Sequence, residues 1–350
     1  MMGSKSPVLF YGRLALLAAG VLYTLVCRYM AGAGEWYARQ VYPVVSGILS
    51  AMSSVVPFSL EEWLVVAAVS GLLLYPVLAR RHKKSWKRIA GREAEGLLWL
   101  YVWFYWGWGI NYYRDSFFQR TATSPRQFEK AAFMQFLTDY TDSLHACYTA
   151  DYVLPRDSVQ KEVRRLFASL PQDYGLTLPR PHYRPKRLLL NGLYSQVGVL
   201  GFMGPFFSEM QLNEELLPAQ YAFTYAHELS HLLGVSNEAE ANFWAYYLCS
   251  RSPVREIRSS AYFGLLPYVA VNARYLTDKA VYTAWIKGID PLILKKLDEQ
   301  QAFWQSRYNP YIGLVQEKLY HLYLKGNRIS SGQKNYSEVV ALVMAFCYPS

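Results

Sequence analysis

The stretch AHELSHLLGVSNEAEAN, residues 226–242, guides the interpretation of the whole chain. Residues four apart lie on one face of a helix, so His227 and His231 can direct two imidazoles at one metal ion. Glu228 flanks that face, where a general base would have to lie. The alternative is an exposed amphipathic helix with incidental histidines. Because the preceding run YAFTYA is apolar and aromatic, we expect a buried helix, and buried histidines need polar partners.

The residues after the second histidine predict a tight turn and another helix. Gly234 fits the left-handed position that ends many helices, and Ser236 or Asn237 can cap the helix that follows. That second helix, NEAEANFWAYYL, would fold back toward the histidines. A third metal ligand is therefore expected near residues 238–242.

Two glutamates compete for this third position. Glu238 and Glu240 point about 200° apart around a helix, so only one of them faces the metal. Glu238 is favoured because Asn242, one turn further on, can accept a hydrogen bond from the free N–H of a ligating histidine. Glu240 is the alternative ligand, although the residue one turn on from it is Trp244.

These residues predict a catalytic site that holds one Zn²⁺ ion. Three protein ligands leave a fourth position for water, and zinc lowers the pKa of that water toward about 7. Glu228 would take a proton from the water and pass it to the leaving amine of a peptide or protein substrate. The oxyanion of the transition state needs a further donor. The candidates for it are Tyr336, Tyr246 and Arg274.

A non-enzymatic receptor or scaffold that is stabilised by zinc is the alternative function. Its metal site would be structural, and a structural site has no use for a base such as Glu228 beside its ligands. An intramembrane protease is disfavoured because the polar runs NEELLPAQ and SNEAEAN flank the histidine helix. The sequence therefore favours a zinc-dependent metallopeptidase.

The N-terminal third of the chain predicts three transmembrane helices, at about residues 8–28, 60–79 and 96–112. A cleaved signal peptide is the alternative for the first of them, and a buried core helix for the second. Segment 29–59 is apolar but broken by prolines, which favours an amphipathic stretch on the membrane surface over a re-entrant loop. Residues 1–112 are thus expected to be a membrane anchor.

The positions of the basic residues predict the orientation of this anchor in the membrane. The run RRHKKSWKR, residues 80–88, together with Arg92 carries seven of the 36 basic residues in a chain of net charge +10. Between two predicted spans such a run indicates the cytoplasmic side, which leaves the chain after residue 113 outside. Basic residues in one loop do not make a nucleic-acid surface. We therefore expect a multi-pass protein of the bacterial cytoplasmic (inner) membrane that contacts the lipid bilayer and no nucleic acid.

Residues 113–350 are expected to form an extracytoplasmic domain of the α+β class, mainly helical. Segments 124–152 and 158–175 carry an apolar residue at every third or fourth position, which is typical of helices. Segment 184–213 has short runs punctuated by Gly and Pro, which predict a small β-sheet before the helices return. The strand around 198–207 is either an edge that binds an extended peptide or an ordinary sheet strand.

The HELSH motif followed by NEAEAN resembles the gluzincin metallopeptidases, which include thermolysin-like enzymes. In those enzymes the third zinc ligand is a glutamate on a second helix, and an aspartate four residues later supports a histidine. The resemblance implies a zincin-like domain in which His227, His231 and Glu238 bind zinc. It also implies that Glu228 is the general base. Asn242 replaces the aspartate and brings no charge, and the linker between the second histidine and the glutamate is much shorter.

Most of the chain also resembles a family of bacterial membrane proteins of uncharacterised function, which combine a multi-span N-terminal anchor with a zinc peptidase domain. Four segments carry this resemblance: PFSLEEW (57–63), WGINYYR (108–114), the HELSH–EAEANF block and KNYSEVVAL (334–342). It implies the same metal site and the same anchor. It implies nothing about the substrate.

Overall fold

The computed structural model describes residues 7–125, 129–314 and 338–348. The chain divides into two compact units. The first unit comprises Met1–Asp115 with Gly204–Glu209, and the second comprises Ser116–Met203 with Met210–Ser350. The described residues are mainly helical and include one small sheet, which confirms the predicted α+β class.

The first unit is built around three long helices. Serine side chains cap two of them, since Ser59 accepts a hydrogen bond from the backbone N–H of Glu62 and Ser85 accepts one from that of Arg88. The elements are α1 (Pro7–Tyr29), α2 (Ala33–Trp36), a π-helical turn (Tyr37–Val41), α3 (Tyr42–Ser53), α4 (Leu60–Arg81), α5 (Trp86–Gly107) and a 3₁₀ turn (Gly109–Tyr113).

Two helices of the described chain, rather than the three predicted, are long and apolar enough to cross a membrane. They are Tyr11–Tyr29 within α1, and Leu60–Arg81, which is α4. The third predicted span, 96–112, falls in the second half of α5 and the following 3₁₀ turn. The first half of α5 is charged, so its apolar part is shorter than the ~20 residues that a span needs. The charged residues are Lys87, Arg88, Arg92, Glu93 and Glu95.

Helix α3, in the segment predicted to lie on the membrane surface, carries its apolar side chains outward. Val44, Ile48 and Met52 recur every four residues and are each more than half exposed. The opposite face is small and polar, and Ser46 and Ser50 on it are buried. A helix on a water-facing surface has the reverse arrangement. The outer face of α3 therefore suits contact with an apolar medium.

Segment 204–209 belongs to the first unit although it lies far along the chain. The indole N–H of Trp103 donates to the carbonyl oxygen of Phe206 at 2.9 Å. The Trp103 ring meets the rings of Phe206 and Phe207 edge-on, with centroids 5.6 and 5.3 Å apart. Gly107 passes so close to Pro205 that a Cβ there would lie 2.6 Å from the proline carbonyl oxygen. Aromatic packing thus holds this segment in place.

Glu209 attaches the end of the same segment to the start of α4. Its carboxylate accepts hydrogen bonds from the Ser59 hydroxyl at 3.2 Å and from the backbone N–H groups of Leu60 and Glu61 at 3.1 and 3.2 Å. The first N–H groups of a helix have no partner within the helix, and the helix dipole favours a negative charge beside them. The Glu209 carboxylate supplies both the acceptor and the charge.

The second unit holds the remaining helices and most of the sheet. Its helices are α6 (Phe117–Thr121), α7 (Lys130–Cys147), α8 (Arg156–Ala168), a 3₁₀ turn (Gln172–Tyr174), α9 (Asn191–Gln196), α10 (Pro218–Leu232), α11 (Glu238–Cys249), α12 (Arg255–Leu276), α13 (Lys279–Gly288), α14 (Pro291–Gln305) and α15 (Val339–Cys347). The strands are β1 (Pro185–Lys186), β2 (Gly201–Gly204) and β3 (Glu209–Leu212).

The three strands form a sheet in the order β1–β3–β2. Strand β1 runs parallel to β3, with Pro185 opposite Met210 and Lys186 opposite Gln211. All three strands fall within residues 184–213, where the change of sequence period predicted them. Strand β2 lies on the outside of the sheet, next to β3.

Helices α10, α11 and α12 form the centre of the second unit. Helix α11 is buried on nearly every side, and Phe243 and Trp244 are fully buried in it. Gly264 of α12 lies directly against the ring of Phe223 of α10, because an added Cβ would come within 2.5 Å of that ring. The histidine helix and the helix after it are therefore held in a dense core, which fixes their side chains.

Glu209→Ala should lower the free energy of unfolding by about 2 kcal/mol, because it leaves three donors at the start of α4 without their acceptor. Thermal unfolding of the full chain in detergent measures the change. Glu214→Ala is the control, since that side chain is exposed. Equal unfolding temperatures for the two variants would show that Glu209 does not hold α4.

Candidate metal centre

The turn between α10 and α11 brings three candidate ligands to one place. Helix α10 ends in Leu232, and Gly234 follows with φ of +98°, which is a backbone conformation that favours glycine. Val235 N–H donates to the carbonyl of Ser230, and Gly234 N–H donates to that of His231. This is the two-bond Schellman pattern, and it reverses the chain within a few residues.

Helix α11 then starts at the capping residue. The Asn237 side chain accepts a hydrogen bond from the backbone N–H of Glu240 at 2.8 Å, so the cap is Asn237 rather than Ser236. Glu238 is the first residue of the helix. Its carboxylate consequently lies close to the histidines of α10.

The donor atoms of His227, His231 and Glu238 all lie within 4.8 Å of one another. The two histidine Nε2 atoms are 3.1 Å apart. Glu238 Oε2 lies 3.2 Å from Nε2 of His227 and 3.6 Å from Nε2 of His231. The three atoms thus form a nearly equilateral triangle.

This triangle fits a zinc ion. In a tetrahedral site with bonds of about 2.0–2.1 Å, the ligand atoms lie about 3.4 Å apart. The observed separations of 3.1, 3.2 and 3.6 Å bracket that value. Two imidazole nitrogens and one carboxylate oxygen are also a donor set that zinc accepts. His227, His231 and Glu238 could therefore hold one Zn²⁺ without rearranging.

Hydrogen bonds on the far side of each imidazole hold both rings in the form that a metal needs. Nδ1 of His227 lies 2.9 Å from Oδ1 of Asn242, and Nδ1 of His231 lies 2.8 Å from the carbonyl oxygen of Val235. Both oxygens are acceptors, so each Nδ1 carries a hydrogen and each Nε2 is the nitrogen that faces the metal position. Asn242 lies where the sequence placed it, one turn beyond Glu238.

The electrostatics of this cluster are dominated by buried charge. Burial alone would lower the pKa of His231, but the Glu238 and Glu228 carboxylates raise it to about 9. Burial alone would raise the pKa of Glu238, but the imidazoles of His231 and His227 lower it well below its usual range. The two carboxylates therefore favour a positive charge among the donor atoms, which a proton on His231 or a metal ion can supply.

Glu228 lies beside the three donors and is almost fully buried. Burial raises the pKa of its carboxyl group above the usual value, although the nearby imidazoles of His227 and His231 oppose this shift. Strand β2 passes against it, since a Cβ on Gly201 would lie 2.9 Å from Glu228 Cγ. A buried carboxyl group of raised pKa suits a general base at neutral pH.

Glu240, the alternative ligand, points away from the histidines into the core. Its carboxylate forms a buried ion pair with Arg120 and accepts a hydrogen bond from Trp244 Nε1 at 2.9 Å. Arg120 also donates to the carbonyl of Tyr174. Of the two glutamates, the structure therefore brings Glu238, and not Glu240, to the histidines.

The three candidates for an oxyanion donor lie in different places. Tyr246 is buried against the rings of Tyr140 and Tyr262, with centroids 6.3 and 5.4 Å away. Arg274 is exposed near the end of α12. Tyr336 lies outside the described residues. The role of all three stays a prediction.

Tyr268 of α12 is a neighbour of the cluster that the sequence did not predict. Its hydroxyl accepts a hydrogen bond from Nδ2 of Asn242 at 3.4 Å. Burial and the negative charge of Glu238 raise the pKa of Tyr268 to about 12, so the hydroxyl keeps its proton at neutral pH. The chain contains 30 tyrosines, and no spacing in the sequence distinguishes this one.

Comparison with known proteins gives one family. Residues 37–344 match the family described as "Protein of unknown function (DUF3810)". No curated protein and no solved structure matches the chain. The match covers the metal cluster and most of both units, but it carries no activity, so the likeness to gluzincins stays a prediction.

Two substitutions should separate the ligand from its neighbour. Glu238→Gln should remove most of the bound zinc, because an amide oxygen is a weaker ligand than a carboxylate. Glu240→Gln should leave zinc binding nearly unchanged and lower the free energy of unfolding by about 3 kcal/mol, since Arg120 keeps its buried charge without a counter-charge.

Zinc content of the purified full chain and thermal unfolding of its metal-free form measure both effects. Retention of zinc by Glu238→Gln together with loss of zinc in Glu240→Gln would contradict the ligand assignment.

Proposed function

The chain belongs to the DUF3810 family of proteins of unknown function, and we propose from the chemistry of its own site that it is a membrane-anchored, zinc-dependent metallopeptidase. The observation that carries the proposal is the convergence of the His227, His231 and Glu238 donor atoms within 4.8 Å, beside the buried carboxyl group of Glu228. The two halves act together, because metal-assisted hydrolysis of a peptide bond uses the metal to activate a water molecule and a base to take the proton of that water.

The residues of the site have different roles in the proposed reaction. His227, His231 and Glu238 would hold the metal, which when bound supplies a Lewis acid that polarises the substrate carbonyl and activates water. Glu228 accepts the proton of the attacking water and delivers it to the nitrogen of the leaving amine. Asn242 and the Val235 carbonyl keep the imidazoles oriented throughout.

The number of donors supports an enzyme over a zinc-stabilised scaffold. Structural zinc sites use four protein ligands, whereas catalytic sites use three and leave a position open. In the part of the chain that the structure describes, the cluster contains three such residues. The Glu228 carboxyl group beside them provides the base that hydrolysis by metal-activated water needs.

Strand β2 supports a peptide as the substrate. It lies on the outside of the sheet, and its Gly201 is in close approach to Glu228. An extended peptide that pairs with such an outer strand gains main-chain hydrogen bonds. A peptide bound in this way would run past the base, with a scissile bond within its reach.

The first unit supports attachment to a membrane. Two of its helices are long and apolar enough to cross a bilayer, and α3 turns Val44, Ile48 and Met52 outward. The basic residues 80–88 cover the end of α4, the connection and the start of α5, and they would stay on the cytoplasmic side. We propose that residues 96–112, although short for a span, make a third crossing after this connection, which places the catalytic unit on the extracytoplasmic side of a bacterial inner membrane.

Replacing the base should abolish activity without removing the metal. Glu228→Gln keeps the size of the side chain but cannot accept a proton, so hydrolysis of a mixed peptide library should fall by about 10²–10⁴-fold while zinc content stays. His227→Ala should lose zinc and stability together, because metal-binding energy is also folding energy. Glu214→Gln, an exposed change, is the control.

Two results would contradict the metallopeptidase and favour a non-enzymatic scaffold that is stabilised by zinc. One is that Glu228→Gln complements a deletion strain as well as the wild type does, and the other is that the zinc-loaded wild type cleaves no peptide.

Reporter fusions test the orientation. A reporter that is active only in the cytoplasm should be silent when fused after residue 113 and active when fused after residue 84, within the basic connection. A reporter that is active only outside should show the opposite pattern. A strong cytoplasmic signal after residue 113 would reverse the proposed topology.

A further inference from the structure

The two histidines of the cluster are oriented by acceptors of different kinds. His231 donates from Nδ1 to the backbone carbonyl of Val235, whose position is fixed by the turn after α10. His227 donates from Nδ1 to the side-chain amide of Asn242. A backbone carbonyl cannot exchange its acceptor for a donor, but a side-chain amide can do so by rotating half a turn about its last bond.

The two ends of the Asn242 amide have opposite effects on His227. With Oδ1 toward the ring, Nδ1 of His227 carries the hydrogen and Nε2 has a free lone pair. With the amide reversed, the NH₂ group would face Nδ1 and force the hydrogen onto Nε2. An Nε2–H group cannot bind a metal ion, so the orientation of this one amide decides whether His227 is a ligand.

The hydroxyl of Tyr268 is the group on the other side of that amide. Nδ2 of Asn242 lies 3.4 Å from it and donates to it. In this hydrogen bond the phenol oxygen is the acceptor, so its own hydrogen points away from the amide. The lone pairs of the oxygen are then left for Asn242, and they accept from NH₂ but repel a carbonyl oxygen.

We propose that Tyr268 is a positioning residue that selects the amide orientation of Asn242 and thereby the metal-binding form of His227. The inference rests on the proposed zinc site and adds to it a third layer: ligand, amide and phenol, on helices α10, α11 and α12. An aspartate in place of Asn242 would present an oxygen at both ends, so it would need no such selector. The phenol is therefore required because the amide is there.

Zinc affinity of the detergent-solubilised full chain, measured by competition with a chromogenic chelator, tests this proposal. Tyr268→Phe removes the selector and should weaken zinc binding by about 10-fold or more, within the range typical of groups that orient a ligating histidine. Asn242→Asp should bind zinc at least as well as the wild type. Adding Tyr268→Phe to Asn242→Asp should then change the affinity by less than about 3-fold.

Tyr262→Phe is the matched control, because it removes a hydroxyl from the same helix at the aromatic cluster with Tyr140 and Tyr246. It should leave zinc affinity unchanged. Thermal unfolding of the metal-free variants shows whether each has folded. If Tyr268→Phe alone is unstable, the zinc affinities of Asn242→Asp with and without Tyr268→Phe are compared instead.

The outcomes separate this proposal from the proposed function. If the wild type binds zinc and Tyr268→Phe binds it equally well, Tyr268 does not select the orientation of Asn242, and the proposed zinc site is unaffected. An equal loss of affinity in the wild-type and Asn242→Asp backgrounds also overturns it, because the phenol would then act on packing rather than on the amide. If the wild type binds no zinc at all, the zinc site itself is wrong.

Discussion

Three metal-ligand atoms, on His227, His231 and Glu238, face one point, and the arrangement of the helices around them in the second unit serves to hold them there. The donor atoms of His227, His231 and Glu238 lie 3.1–3.6 Å apart, and acceptor atoms at that distance repel one another unless a proton or a metal ion lies between them. The chain holds them there by a two-bond turn at Gly234, a helix that begins at Glu238, and a dense core around both helices. Metal binding would recover the energy that this arrangement costs.

The first turn of α11 shows how two similar side chains acquire different chemistry. Glu238 and Glu240 both lie near the positive end of the helix dipole, which favours their negative charge. Glu240 is neutralised by Arg120 inside the core, while Glu238 faces the imidazoles. The pairing with Arg120 thus reserves one carboxylate for structure and leaves the other for the metal.

Local sequence patterns predicted those parts of the molecule that depend on local geometry. Helical spacing paired His227 with His231, the position of Gly234 predicted the turn, and the spacing of Glu238 and Asn242 predicted which glutamate faces the site. Two helices rather than three have the length and apolarity of a span, because the charges in the first half of α5 shorten its apolar part. Tyr268 could not be predicted, since its contact with Asn242 crosses from one helix to another over 26 residues. For the same reason nothing in the sequence joined Arg120 to Glu240, 120 residues away.

X-ray absorption at the zinc edge of the purified full chain tests the central claim most directly, because it reports the number and kind of ligand atoms around the metal. The account predicts one zinc per chain, with nitrogen and oxygen ligands at about 2.0–2.1 Å and the scattering pattern of two imidazoles. A chain that takes up no zinc when loaded, or a spectrum with sulfur at about 2.3 Å, would contradict it.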